Sequence, residues 1–264
     1  MPGWLTYPHI SASAHFQLLL LVTIFRNRPV KTLESIKSRL SPLLSAKSWR
    51  TLGRYMGFGN QKSNALVTSP KALSQFINTR ASHVTQTSLY GYLKTRAGTR
   101  FPELFKNPDI LTSINIAKWN IWIACVSDLC IFTGLLMHQS GRVKPAEIDL
   151  LMPTILDRIL LETEISPEAG ESMQTATENA RQRLSAFDWT LDYDDDSIFS
   201  QSPEALYYWS PIADELKVRD ELIVRNSIRF RWIEVRRNAR KLLNIDLIFQ
   251  AEATLKQATT ADIS

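Results

Sequence analysis

The chain has 264 residues, 44% hydrophobic and 22% charged, with nine Gly, two Cys and a net charge of +5. These proportions belong to a folded globular protein and exclude disordered, collagen-like and disulfide-stapled classes. The charge is laid out unevenly. Residues 1–106 carry fifteen Lys and Arg against two acids, Glu34 and Glu103, whereas residues 144–204 carry fourteen acids against four bases. Such opposed segments point the basic part toward something anionic: nucleic acid, a phospholipid surface or the chain's own acidic stretch.

Residues 1–62 read as a basic extension. Phe16–Phe25, FQLLLLVTIF, is too short to span a bilayer as a helix. No positive charge precedes it and no small-residue cleavage site follows, so it does not read as a secretory signal. From Arg26 to Lys62 the chain is basic, Ser-rich and nearly acid-free, with Val30, Leu33, Ile36, Lys37, Leu40, Leu43 and Leu44 on an approximate helical stripe broken at Pro42. That pattern suits an interfacial helix on anionic lipid, and its composition also resembles that of a targeting peptide. An alternative natural start is Met56, just before Gly57-Phe58-Gly59, which lacks the remaining residues of a phosphate loop.

Two helices are expected next. Pro70–Thr79 starts with Ser69 as cap and Pro70 in the first turn. His83–Thr95 ends at Gly98, a natural C-terminal stop. The turn that follows places Lys94, Arg96 and Arg100 around Gly98, and guanidinium groups with free backbone N–H groups could hold a phosphate or carboxylate. The plainer reading is that these cations complement the helix C-terminus or pair with Asp128.

The chain is organised around Ser113–His138, its longest apolar run, which holds one acid, Asp128, near its middle and Lys118 toward its start. It is expected to be a helix, being too long for a strand. Ser113, Ala117, Asn120, Ala124, Ser127, Ile131, Gly134 and His138 fall on one seam of mostly small residues, which admits a close second backbone. A membrane span is the competing reading. Asp at mid-bilayer costs about 2.5–3.5 kcal/mol and each large aliphatic returns about 0.3–0.6, so the sum lies near zero. A core helix is preferred. Asp128 then needs a cation, and Arg96, Arg100 and the C-terminal arginines are the candidates. Cys125 and Cys130, five apart in this helix, read as small buried hydrophobes.

Ala146–Glu164 is an amphipathic helix with Ile148, Leu151, Met152, Ile155, Leu156, Ile159 and Leu160 inward. Ser166-Pro167-Glu168 opens another, to about Phe187. The acidic loop with Asp192, Asp194, Asp195 and Asp196 lacks the Gly and Glu of a calcium loop. Pro203–Leu243 is mostly helical with a break near Ser210-Pro211. In it Arg225, Arg229, Arg236 and Arg240 share an arc with Trp232, a stripe able to cross a phosphate backbone with Trp232 stacking. Apolar stripes flank it on both sides, Ile223, Phe230 and Ile233 on one and Val224, Ile228 and Val235 on the other. Packing of this helix, with its arginines answering the acidic 144–204 region, is therefore preferred.

The expected fold is all-α: an irregular helical bundle of about seven or eight helices around the central apolar helix. Residues 63–250 read as one domain and 251–264 as a frayed tail. No Ser/His/Asp, Cys/His or metal set stands at diagnostic spacing, so no catalytic residue, metal or cofactor is assigned. Three function classes follow, in this order. The first is a non-enzymatic interaction or scaffold protein, cytoplasmic and peripheral to an anionic membrane, with a protein partner also in view. The second is a nucleic-acid binder using the Arg225–Arg240 stripe. The third is a small anionic-ligand binder or enzyme at Arg96, Arg100 and Asp128.

Overall fold

The structure, a computed structural model, describes residues 65–190 and 195–261. The expectations for residues 1–62 and for Asp192 and Asp194 lie outside the described residues. Ile212–Asp220 falls in a smaller structural unit and the remaining described residues in a larger one.

The described chain begins by clamping itself to its own far end. The Val67 N–H donates to the Leu242 carbonyl at 2.8 Å, and the Val67 carbonyl accepts from the Asn244 N–H at 2.9 Å. Helix α1, Pro70–Ala97, follows. Its start is the one the sequence announces: the Ser69 Oγ accepts from the Ala72 N–H at 3.2 Å, and Pro70 takes the first turn, where a missing donor costs nothing. Its end is Gly98, at φ +56°, a conformation that side chains with a Cβ rarely adopt. The two helices expected here are one. Nothing between Thr79 and His83 breaks a helix, and the polar residues bond locally: the Ser82 hydroxyl donates to Asn78 Oδ1 and the Thr87 hydroxyl to the His83 carbonyl. Leu73, Ile77, Ala81, Val84, Ser88 and Tyr92 form a buried stripe along its whole length.

A 3-10 turn, Gly98–Arg100, and the one-turn helix α2, Phe101–Leu104, lead to α3, Pro108–Gln139. This central helix begins five residues before the expected Ser113. Asn107-Pro108 is a start signal, and Asn107 Oδ1 accepts from the N–H groups of Asp109 at 3.0 Å and Ile110 at 3.3 Å. From Ile121 to Leu135 every residue except Ala124 is buried. Among the described residues α3 alone is long and apolar enough to cross a membrane, with a mean hydropathy of 1.7 over its most apolar stretch. Of that stretch, 83% is buried inside the bundle.

Helix α4, Pro145–Glu162, buries Ile148, Leu151, Met152, Ile155, Leu156 and Ile159, the inward face that its periodicity foretells. A 3-10 turn at Pro167–Ala169 precedes α5, Gly170–Ser185. The one-turn α6, Asp195–Ile198, and α7, Gln201–Trp209, come next, and the break falls at Ser210-Pro211 as expected. Helices α8, Asp214–Leu242, and α9, Ile245–Ala261, complete the chain. The architecture is an all-α bundle, with seven helices of nine residues or more among the described residues. Its centre is α3, which packs against α1, α4, α5 and α7.

The small-residue seam of α3 faces α5. Asn120 Nδ2 donates to Ser172 Oγ at 2.9 Å, and Ser127 Oγ accepts from Arg183 at 3.0 Å. Gly134, further along, lies under the Trp189 ring; a Cβ there would come within 2.8 Å of Trp189 Cη2. The indole N–H of Trp189 is anchored on the Asp149 carboxylate of α4. A larger residue at 134 would push this ring out of the core.

Candidate functional site

The chemistry of the interior converges on Asp128. It is 0% exposed and is the only charged residue among the buried polar side chains described. A carboxylate taken fully out of water must be compensated by donors, because its desolvation cost runs to several kcal/mol. Its partner is Arg183 of α5, and not Arg96, Arg100 or a C-terminal arginine as the sequence suggested. Arg183 Nη1 donates to Asp128 Oδ1 at 2.7 Å and to Ser127 Oγ at 3.0 Å, while its Nη2 donates to the Ile198 carbonyl at 2.8 Å. Two backbone donors complete the shell: the Ser202 N–H reaches Oδ2 at 2.8 Å and the Gln201 N–H reaches Oδ1 at 3.3 Å.

Those two N–H groups open α7, which has no side-chain cap of its own at Ser200. Asp128 therefore supplies from α3 the acceptor and the negative charge that a helix N-terminus requires. Ser202 carries the network one step further. Its Oγ accepts from Trp232 Nε1 at 2.9 Å, tying α8 to the same point. The buried carboxylate of the central helix thus joins α3 to α5 and α7 directly, to α6 through Arg183 and to α8 through Ser202.

Sequence reasoning passed over Arg183. A signal existed: the acidic stretch 144–204 contains only Lys144, Arg158, Arg181 and Arg183 as bases. Arg183 also stands beside the buried Ala180 and Leu184 on α5, whereas Arg181 pairs with the exposed Asp157 at 2.9 Å.

Around this hub lie Cys125 and Cys130, free and buried as expected. Burial pushes the Cys130 thiol up to about 12, against a smaller opposing pull from Arg183. Cys125 is raised further, by burial first, with Asp128 adding to it. Neither offers a thiolate at neutral pH. The Thr85 hydroxyl of α1 is buried against the Cys125 thiol, and the Ser88 hydroxyl is buried with no hydrogen-bond partner among the described residues.

Lys94, Arg96 and Arg100 stand at the exposed end of α1 and the turn after it. Asp128, whose shell is made by Arg183, Gln201 and Ser202, does not join them. The turn and the buried carboxylate are therefore two separate features, not one site.

The arginines of α8 divide by what they touch. Arg225 pairs with Glu204 and with Glu221, the latter at 3.0 Å, and stacks over Tyr207 at 4.7 Å. Arg236 lies over Phe199 at 5.7 Å and Arg240 over Phe132 at 5.2 Å. Arg229 donates to Asn226 Oδ1 at 3.2 Å. Trp232 is 1% exposed and packs on Phe199 with ring centroids 4.6 Å apart. The stacking role expected of Trp232 does not fit this placement, because its ring is in the core and its N–H is spent on Ser202. Of the two flanking apolar stripes, Val224, Ile228 and Val235 are buried, whereas Ile223, Phe230 and Ile233 are exposed.

An open groove of about 840 Å³ runs between the end of α4 and α5, lined by Leu160, Ile165, Met173, Thr177 and Arg181. None of the candidate site residues, Lys94, Arg96, Arg100, Asp128 or the arginine stripe with Trp232, lines it. Among the described residues no three His, Cys, Asp or Glu side chains gather at metal-binding distance. Compared with protein-family models, curated proteins and solved structures, the chain matches none.

Proposed function

We propose that this protein is a non-enzymatic helical interaction protein that meets an anionic membrane surface through residues 16–62. The observation that carries the reading is the charge layout: an apolar block at Phe16–Phe25 leads into a segment whose only acid is Glu34. Each Lys or Arg near an anionic leaflet contributes about 1 kcal/mol of attraction, and an adjacent apolar block adds burial at the headgroup boundary. The use of Asp128 and Arg183 in joining helices supports a scaffold rather than a catalyst, since both groups are committed to holding the bundle together.

The test is co-sedimentation of the full chain with phosphatidylcholine vesicles, with and without phosphatidylserine. Binding is expected only with the anionic lipid, and to fall steeply with salt. Replacing Arg26, Arg28, Lys31 and Lys37 by Glu should abolish it. Undiminished binding by that variant would sink the reading.

A further inference from the structure

The membrane reading leaves unexplained an apolar surface elsewhere in the chain. Helix α8 is amphipathic twice over. Its inward side buries Val224, Ile228, Trp232 and Val235. Its outward side exposes Leu222 (74%), Ile223 (71%), Phe230 (70%) and Ile233 (53%). At about 100° per residue these four fall within one arc of roughly 100°. Across that arc the order is Leu222, Ile233, Asn226, Arg237, Phe230, Ile223, all of them exposed. From Glu221 onward the same arc also holds Lys241 and contains no acid, while Arg240 at its edge turns over Phe132. Single exposed apolar residues are ordinary, but four on one face over three turns form a patch of the kind that marks a contact surface.

We infer that this outward face of α8 is a second lipid-contacting surface, which seats Leu222, Ile223, Phe230 and Ile233 at the headgroup boundary of an anionic bilayer. The inference rests on the membrane reading above and adds to it a contact within the folded bundle. Charge complementarity selects the occupant. Arg237 and Lys241 give the patch one sign, which suits an anionic surface and opposes a second copy of the same face. Nucleic acid would draw on stacking aromatics and phosphate contacts; Trp232 is in the core, Phe230 is the one aromatic of the patch, and the three aliphatic side chains gain nothing from phosphates. Apolar residues in a basic, acid-free arc are the composition of helices that lie in the interface plane.

The experiment uses the full chain and the same phosphatidylserine-containing vesicles. Leu222→Asp with Phe230→Asp should leave the melting temperature unchanged, both side chains being exposed, and weaken vesicle binding about tenfold or more. Leu161→Asp, at an exposed leucine on α4, should leave binding intact. Phe230→Trp should strengthen it, because Trp favours the interface. Equal binding by wild type and the Leu222/Phe230 variant, with loss on charge reversal at Arg26–Lys37, would overturn this inference and leave the N-terminal reading standing. Absence of binding by the wild type would overturn both. Equal loss from Leu161→Asp would overturn it as nonspecific stickiness. So would a dimer in solution that the double variant splits, or salt-sensitive RNA retention that the double variant removes.

Discussion

Helices α3 and α8 have similar lengths, 32 and 29 residues, and opposite solutions to the problem of charge. Helix α3 carries a single charge in its buried stretch and surrounds it completely: two bonds come from the α7 backbone and one from Arg183, and further packing comes from four other helices. Helix α8 is rich in arginine and disposes of that charge sideways, over Tyr207, Phe199 and Phe132 and onto Glu204 and Glu221. Its long guanidinium stems reach across aromatic faces and keep their heads near water. The difference teaches that burial is decided by the reach of a side chain as much as by its charge. Asp128 is short and must have its donors brought to it, whereas an arginine can travel to its partner.

The comparison breaks most sharply at the buried pair. Arg183→Ala leaves Asp128 charged and unpaired in the core and should cost about 3–5 kcal/mol in urea denaturation. Asp128→Asn keeps an acceptor for the α7 N–H groups and should cost less. Equal losses from the two would mean that the ion pair, and not the capping of α7, is what Asp128 contributes. Next comes the seam: Gly134→Ala should destabilise by about 1–3 kcal/mol through overpacking against Trp189. Combined with Trp189→Leu the penalty at 134 should shrink, and a double-mutant cycle reads that coupling directly.

A smaller effect is expected where α1 meets α8. Burial, then Arg231 and Arg80, hold His83 below its ordinary value of 6.5, with Glu234 partly opposing them. A lowered folded value means that protonation favours the unfolded chain. Stability should therefore be intact above pH 6.5 and decline as pH falls from there toward the folded value. His83→Gln should flatten this decline in thermal melts across that range, and an unchanged slope would place the titration elsewhere. The smallest stability effect belongs to the outward face of α8. Ile223→Ser should lie within about 0.5 kcal/mol of wild type, as exposed substitutions do. A larger loss would show that the face is covered within the protein itself.

Local signals alone determined much of this protein. Ser69-Pro70 and Gly98 bound α1 because a cap oxygen, a fixed φ and a left-handed turn act within a few residues. The inward face of α4 followed from periodicity, and the all-α class from the near absence of strand-like alternation. The small seam of α3 was legible as a place of close approach, and Asp128 as a charge in need of a partner. Only the tertiary structure decided that the seam meets α5, that Gly134 lies beneath Trp189 and that the partner is Arg183, 55 residues away. It also decided which apolar stripe of α8 is covered, since Val224, Ile228 and Val235 and their exposed counterparts Ile223, Phe230 and Ile233 are alike in composition. The physical reason is the same in each case. Capping and periodicity are short-range and written in neighbouring residues, whereas pairing and burial depend on which surfaces the whole chain brings together.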